Sequence, residues 1–395
     1  MKILFLTTII ISKNCNGGEV ASQCFVDAIK ALNHEVTVVG YLRKGDKFLH
    51  DRKETIVVDE RYTETNKSKL FAVRWLLLSL WKGLPYSTAK YFSYTYIRLI
   101  RTLVSNYKYD LVVIDHAQLA WIHKFFPKRT KIVMIAHNVE HVMYEELSRK
   151  ASNPLSKLLY QREANLIRRQ EEYLSVSAEQ VWTLTDYDNK YFSQLTGISR
   201  TKTFGIAPSS TQPQNKLVSK SFDIGILGSW SWKANIEALE WFIQNVYPYL
   251  PINLSIHVAG KGADWLRDKY PNIYYRGVVP DAQEFMAQAK VVVIPTQSGG
   301  GIQIKTLDAI ASGSQIVATP VALRGISQPP STVKLAMHPK EFADLIVSAI
   351  YSEDAETAIE EAKKWYYTRK KQFCSLIASA IDELLVMQNC IRSNK

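Results

Sequence analysis

The chain has 395 residues, with 49 basic and 37 acidic side chains and a formal net charge of +12. That length implies two or three domains, and an apolar share of 47% excludes global disorder. The four cysteines, Cys15, Cys24, Cys374 and Cys390, form no CxxC pair and are too scattered for a disulfide framework or a structural zinc site. They favour a reducing compartment.

Met1 opens MKILFLTTIIIS, which has one Lys, an apolar run and no small-x-small cleavage site before NCNGGE. This reads as a buried first strand, not a signal peptide. The loop SKNCNGGE follows, then a helix near Val20 to Leu32 and the strand EVTVVGY. Leu70 to Trp81 is apolar, but Arg74 interrupts it and it falls short of the roughly 20 residues a membrane span needs. The expectation is a soluble, cytoplasmic protein, at most peripheral on the inner face of a membrane. Further strands are expected at Asp110 to Asp115, Lys131 to Asn138 and Gln180 to Thr185, with a long charged helix from Leu155 to Ala178.

Pro208 to Ser221 is rich in Pro, Ser, Gln and Asn, and reads as a linker. A second alternating block begins with the strand FDIGILG and a helix near Asn235 to Asn245. LSIHVAG, IYYRGVV, VVVIPT and QIVAT are strands, Gly301 to Ser312 reads as a helix, and the tail from Pro339 is helical. The division expected is residues 1–207, a linker at 208–221, a second domain at 222–350 and helices at 351–395. Both domains are doubly wound α/β units with parallel sheets. Such domains bind ligands outside the C-terminal ends of their strands, and two of them facing one another leave a cleft between those ends.

The strongest ligand loop is IPTQSGGGIQIKTLDAIASG, Ile294 to Gly313. Strand, glycine loop and helix follow in that order. Gly299, Gly300 and Gly301 let backbone N–H groups approach a ligand closely. A helix start adds free donors and about half a positive charge. Lys305 would add a full charge to a phosphate site, and Asp308, three residues on, shares its face and could accept from ribose hydroxyls.

This run resembles the C-terminal signature of family 4 glycosyltransferases, which have the GT-B fold. Leu307, Asp308, Ala309, Ile310, Ala311 and Gly313 match its second half, with Asp308 in the place of the family's second glutamate, which holds the ribose. The first glutamate, which contacts the donor sugar, falls on Gly300. A sub-group with a Gly-Gly-Ile-x-Ile-Lys loop is closer, and it brings in Ile302 and Lys305. GILGSWSWKANIEALEWF resembles the first loop of the family's nucleotide domain, with Gly228 and Ser229 near the phosphates. Many members carry Arg and Lys after that glycine. Here Ser229 and Trp230 stand there, so Lys233 or Lys305 would neutralise the diphosphate. HVAGKGAD and RGVVPD resemble the loops that frame the base, bringing in Gly260 and Val278. Gly17 and Gly18, in NGGE, match the glycine loop of the first domain. The same pair is also a fragment of a dinucleotide loop, but GxGxxG and the acidic residue after the second strand are both missing.

His116 follows DLVVID and His137 follows KIVMIA, each at a strand end. Either could hold the transferred sugar or assist the acceptor hydroxyl, and either could be structural. His137 lies in AHNVEH, similar to the family's H-N-x-E segment. Glu140 and His141 sit at a helix start. Asp186 reads as an N-cap, and Arg162, Arg168 and Arg169 as a solvated face.

The resemblance implies a GT-B enzyme of two Rossmann-like domains, moving a sugar from a UDP-, GDP- or ADP-linked donor to a glycan, a lipid-linked or another hydroxyl acceptor. It implies retention, no cofactor beyond the donor substrate, and C-terminal helices that cross back to the first domain. No Asp-x-Asp motif stands at a suitable strand end, which fits chemistry without a metal. Competing readings are a catalytically silent nucleotide- or glycan-binding subunit and a sugar-nucleotide epimerase. Residues 1–205 hold a surplus of ten positive charges, against two in residues 206–395. Lys69 to Arg101 mixes Trp75, Trp81, Tyr86, Tyr91, Phe92, Tyr94 and Tyr96 with Lys69, Arg74, Lys82, Lys90, Arg98 and Arg101. With no nucleic-acid module around it, this stretch points to an anionic lipid surface or a lipid-linked glycan, not to nucleic acid.

Overall fold

A computed structural model describes residues 1–11, 17–48, 51, 53–63, 68–207, 218–352 and 355–393. The chain forms two compact units, Met1–Phe204 with Phe373–Lys395, and Gly205–Gln372. Most of the expected linker, residues 208–217, lies outside the described residues, as do Ser12 to Asn16 of the first loop.

The first unit contains β1 (Lys2–Ile9), α1 (Gly17–Ala31), β2 (Glu35–Arg43), β3 (Thr55–Arg61), α2 (Lys69–Lys82), α3 (Tyr86–Ala89) and α4 (Tyr94–Asn106). Then come β4 (Leu111–Asp115), a 3-10 segment (Ala117–Phe125), β5 (Ile132–Ala136), α5 (Glu140–Lys150), α6 (Pro154–Ser177), β6 (Gln180–Thr183), α7 (Asp186–Thr196) and β7 (Thr201–Thr203). All strands pair in parallel, in the order β3-β2-β1-β4-β5-β6-β7. β1 is therefore central, and Ile3, Leu4, Phe5 and Leu6 are fully buried. An apolar run covered on both sheet faces needs no alternation, which is why its start imitates a signal peptide.

The second unit contains β8 (Phe222–Leu227), α8 (Lys233–Trp241), which ends in a π-turn at Phe242–Val246, β9 (Ile256–Ala259), β10 (Ile273–Gly277), α9 (Ala282–Gln288) and β11 (Ala289–Ile294). α10 (Ile304–Ala311), β12 (Gln315–Ala318), β13 (Val333–Leu335), α11 (Pro339–Ile350) and α12 (Ala355–Ser393) complete the chain. Its sheet is also parallel, in the order β10-β9-β8-β11-β12-β13. α12 runs through the boundary at Phe373. Its C-terminal part packs in the first unit, where Phe373 meets Phe25 edge-on at 5.2 Å and Glu383 pairs with Lys202 at 2.7 Å.

Both sheets have one strand where the order reverses. The connections from β1 and β4 leave in opposite directions, as do those from β8 and β11. Backbone N–H groups and loops are exposed at such points, which is where open α/β sheets take ligands.

Three expectations need correction. α10 starts at Ile304, not Gly301, because Gly299 and Gly301 have φ of +137° and +66° and hold the chain in a loop. Thr185, not Asp186, caps α7, accepting from Asp188 N at 3.1 Å. Arg162 and Arg168 are engaged between helices: Arg162 donates to Ser79 O at 3.1 Å and to Glu163 at 2.7 Å, and Arg168 pairs with Glu145. Arg169 alone is exposed as expected.

Candidate active site

In the second unit, the loops after β8, β9 and β10 are laced together at the carboxyl edge. Gly228 N donates to Ala259 O at 3.2 Å and Gly260 N to Gly277 O at 2.6 Å. Trp230 folds beneath them, its Nε1 donating to Ala259 O at 2.9 Å. Trp230 is thus a buried support, and the expected cationic position after the glycine is filled by packing. Gly260 has φ +112°, and a Cβ there would lie 1.7 Å from Gly228 O. Gly277 also has positive φ, +64°, but nothing lies within 4 Å of its Cβ position. Gly260→Ala should therefore cost several kcal/mol and disorder both loops, whereas Gly277→Ala should cost about 1 kcal/mol. Urea unfolding of the two variants measures the gap; equal losses would mean the loops are not locked together.

The glycine loop and α10 join this assembly. Lys305 Nζ donates to Asn235 Oδ1 at 3.1 Å, and Asn235 Nδ2 donates to Ser229 O at 3.0 Å. Ser298 Oγ lies 3.4 Å from Glu237, and Arg324 donates to Gly299 O. The first turn of α8, the Ser229 loop, the glycine loop and the start of α10 so share one network. Burial pushes the Lys305 ammonium down to about 8. Lys233 is exposed and lies 3.8 Å from Glu237, away from this network's centre. Asp308 is one turn further along α10, with its carbonyl accepting from Gln283 Nε2 at 3.1 Å. Val278 is exposed after β10. Glu237 and Arg324 were not legible in the sequence, because each is reached only through the loop geometry.

In the first unit, the ends of β1, β4 and β5 converge on Asp115. This carboxylate is fully buried. Thr7 Oγ1 donates to its Oδ2 at 2.7 Å, Ser22 Oγ donates to the same oxygen at 2.6 Å, and His137 Nε2 is 2.7 Å from Oδ1. Ser22 lies on α1, one turn and a residue after Gly17 and Gly18, which form the first turn of that helix. Burial opposes the charge on Asp115, but the His116 and His137 imidazoles and the bonds from His137 and Ser22 outweigh it. They hold the carboxyl well below the usual carboxylate range.

His116 has φ +80°, the left-handed region that non-glycine residues rarely occupy. That turn lays its ring on His137, with centroids 3.9 Å apart and planes 17° from parallel. Burial first, then His137, lower the His116 pKa to about 4, so its ring is neutral near pH 7. Asp115, His116 and His137 bring three ligand atoms within 4.8 Å of one another. They fit a metal poorly, since a metal lies in the plane of the imidazole that binds it and two parallel rings cannot both aim at one ion. The geometry is that of two stacked imidazoles, one of which, His137, is hydrogen-bonded to a carboxylate. Sequence reasoning singled out both histidines and passed over Asp115, whose signal was an acidic residue closing an otherwise apolar strand.

Beyond His137, Glu140 opens α5. Burial and Glu171 push its carboxyl up to about 7, and the Gln118 amide, 3.0 Å away, offsets part of that. His141 is buried against Glu171 at 2.6 Å and is structural.

Residues 221–351 match the family model for glycosyl transferases group 1. That stretch of the second unit is similar to group 1 glycosyltransferases. Solved structures share the fold of the chain across both units. Sucrose-phosphate synthase from Thermosynechococcus elongatus aligns with a TM-score of 0.66 at 14% identity, over 98% of this chain and 99% of its own. WaaG, a glycosyltransferase involved in lipopolysaccharide biosynthesis, aligns at 0.62 and 17%, over 97% and 99%. Anabaena HepE, in complex with UDP and glucose, aligns at 0.57 and 15%, over 98% and 100%. These likenesses show the fold, two Rossmann-like domains as in GT-B glycosyltransferases. No curated relative matches the sequence of this chain.

Proposed function

We propose that this chain is a group 1 glycosyltransferase that moves a sugar from a UDP-sugar to a hydroxyl of a membrane-borne acceptor, with retention and without a metal. One observation carries the donor half: Lys305 stands at the second residue of α10, behind a loop of three glycines, and Asn235 ties it to the Ser229 loop. Departure of the nucleoside diphosphate leaves negative charge on its terminal phosphate. Loop amides at Gly299 to Gly301, the α10 N-terminus and the Lys305 ammonium are the cations and dipoles available to stabilise it. Asp308, one turn along, would take the ribose hydroxyls, and the loops at Gly260 and Val278 would frame the base. HepE is solved with UDP and glucose, which favours UDP over GDP or ADP.

In the acceptor half, His137 is held by Asp115 through Nε2, which leaves Nδ1 for a sugar or acceptor hydroxyl. His116, neutral and stacked on it, would offer a second imidazole edge without repelling the other. Gly17 and Gly18, in the first turn of α1, would leave its N–H groups open to the donor phosphate.

Incubation with UDP-, GDP- and ADP-sugars, with and without a lipid extract, tests the reading through release of the nucleoside diphosphate. Release from a UDP-sugar, stimulated by lipid and insensitive to EDTA, is expected. Tight UDP binding without turnover of any donor would instead identify a silent binding subunit, the outcome that Gly300 in the place of a glutamate would explain.

A further inference from the structure

We infer that α2, with the start of α6, is the face by which this protein lies on an anionic bilayer. The inference deepens the reading of a membrane-borne acceptor by naming the surface that meets the lipid.

α2 is built the wrong way round for a core helix. Leu70, Val73, Leu77, Leu80 and Trp81 recur at helical spacing and form one stripe. That stripe points outward: Leu70 is 78% exposed, Leu77 62% and Trp81 75%. Trp75 and Ser79, on the opposite side, are the buried residues of the helix. Arg162 of α6 donates to both the hydroxyl and the carbonyl of Ser79, which anchors α2 from behind. On α6 itself Leu155 and Leu159 are exposed, and Leu158 is 68% exposed. Soluble monomers seldom leave so many large aliphatic side chains bare on neighbouring helices. Single exposed leucines need no explanation, but a stripe running the whole of a 14-residue helix does.

Charge selects the occupant. From Thr65 to Tyr109 there is no Asp or Glu, and there are eight Lys and Arg. Lys69 and Arg74 flank the apolar stripe, and Lys82 lies over the Trp81 ring at 4.2 Å. From Arg149 to Arg162 there is again no acidic residue. A second copy docking through the same face would set cation against cation. A bilayer bearing acidic headgroups answers both features: acyl chains take the leucines, Trp81 sits at the interface, and the flanking cations meet phosphates. At 14 residues α2 is about 21 Å long. It is shorter than a span, and no described helix is long and apolar enough to cross a membrane. α2 would therefore lie in the surface plane.

The test is co-sedimentation of the full chain with vesicles of phosphatidylcholine alone or with about a third phosphatidylglycerol. The wild type should pellet with the anionic vesicles and only weakly with the neutral ones, and about 0.5 M salt should reduce the difference. Leu77→Glu should lower vesicle binding at least tenfold. The triple variant Lys69→Ser, Arg74→Ser, Lys82→Ser should lose the preference for anionic lipid while keeping a residual apolar attachment. UDP binding, measured on the same samples, should be unchanged in both, which shows that they fold and separates this inference from the donor assignment. Failure of the wild type to pellet, or wild-type pelleting by Leu77→Glu, overturns it. So does a concentration-dependent dimer that Leu77→Glu dissociates, which would make the face an interface between copies.

Discussion

Lys305→Ala is expected to lower turnover of the UDP-sugar by a factor of about 10²–10³, the scale of removing one preorganised donor to developing charge. The larger share should fall on kcat, because the charge on the leaving diphosphate grows as the glycosidic bond breaks. The pH profile gives a second reading. Burial has brought the ammonium down to about 8, so in the free enzyme the cation is complete below that value and lost above it. UDP affinity should weaken as pH rises through about 8, and the step should vanish in Lys305→Ala. Binding of the diphosphate stabilises the cation, so the step should move upward in the complex. Asp308→Ala should cost about 10- to 100-fold in donor affinity, in line with loss of charge-assisted hydrogen bonds to hydroxyls. Stopped nucleotide-release assays across pH 6.5–9.5 measure all of this. Wild-type rates in both variants would remove the phosphate and ribose roles from α10.

Much of this arrangement was legible in the residues. The central strands β1, β4, β8 and β11 are apolar runs buried on both faces, and their order with the intervening helices implied two parallel sheets. β3, β7 and β13 escaped because they are short or lie near sheet edges, where pairing on a partly solvated surface leaves little pattern. The Lys305 and Asp308 pair was visible because an i, i+3 spacing on a helix needs no tertiary knowledge. The start of α10 was placed three residues early, since glycines read equally well as loop or as helix entry until their φ is known. The Asp115 cluster was invisible for a different reason. Its partners Thr7, Ser22 and His137 come from β1, α1 and the end of β5, and only the parallel order β1-β4-β5 assembles them. The apolar stripe of α2 was read as aromatic and cationic in mixture. Which side faced outward depended on Arg162, seven elements later in the chain.

Asp115→Asn offers the sharpest test of the acceptor half, because it keeps the shape and changes the hydrogen bonding. Thr7 and Ser22 both donate to Oδ2, so the amide oxygen of the variant must take that place. Its NH₂ group then faces His137 Nε2, which in the native protein carries the hydrogen that meets Oδ1. His137 must turn into its other tautomer, with Nε2 accepting and Nδ1 protonated. Any hydroxyl that donates to Nδ1 in the native enzyme meets a donor instead. Loss of the correct tautomer at a histidine held by a carboxylate costs about 10²–10⁴ in kcat elsewhere, and a fall in that range is expected here. KM for the donor should change little, because the Lys305 network is untouched. Nitrogen-15 histidine spectra should show the tautomer switch directly. Stability is expected to change by only a few kcal/mol, since the buried charge disappears together with the bonds that offset it. Asp115→Ala has no such compensation. It leaves Thr7, Ser22 and His137 without their common acceptor, and should be both inactive and markedly less stable. A tautomer switch with undiminished kcat would confine His137 to a structural role, and the acceptor chemistry would then have to be sought at Glu140. That carboxyl, pushed up to about 7, is half ionised near neutrality, and it would give the rate a titration in the same range.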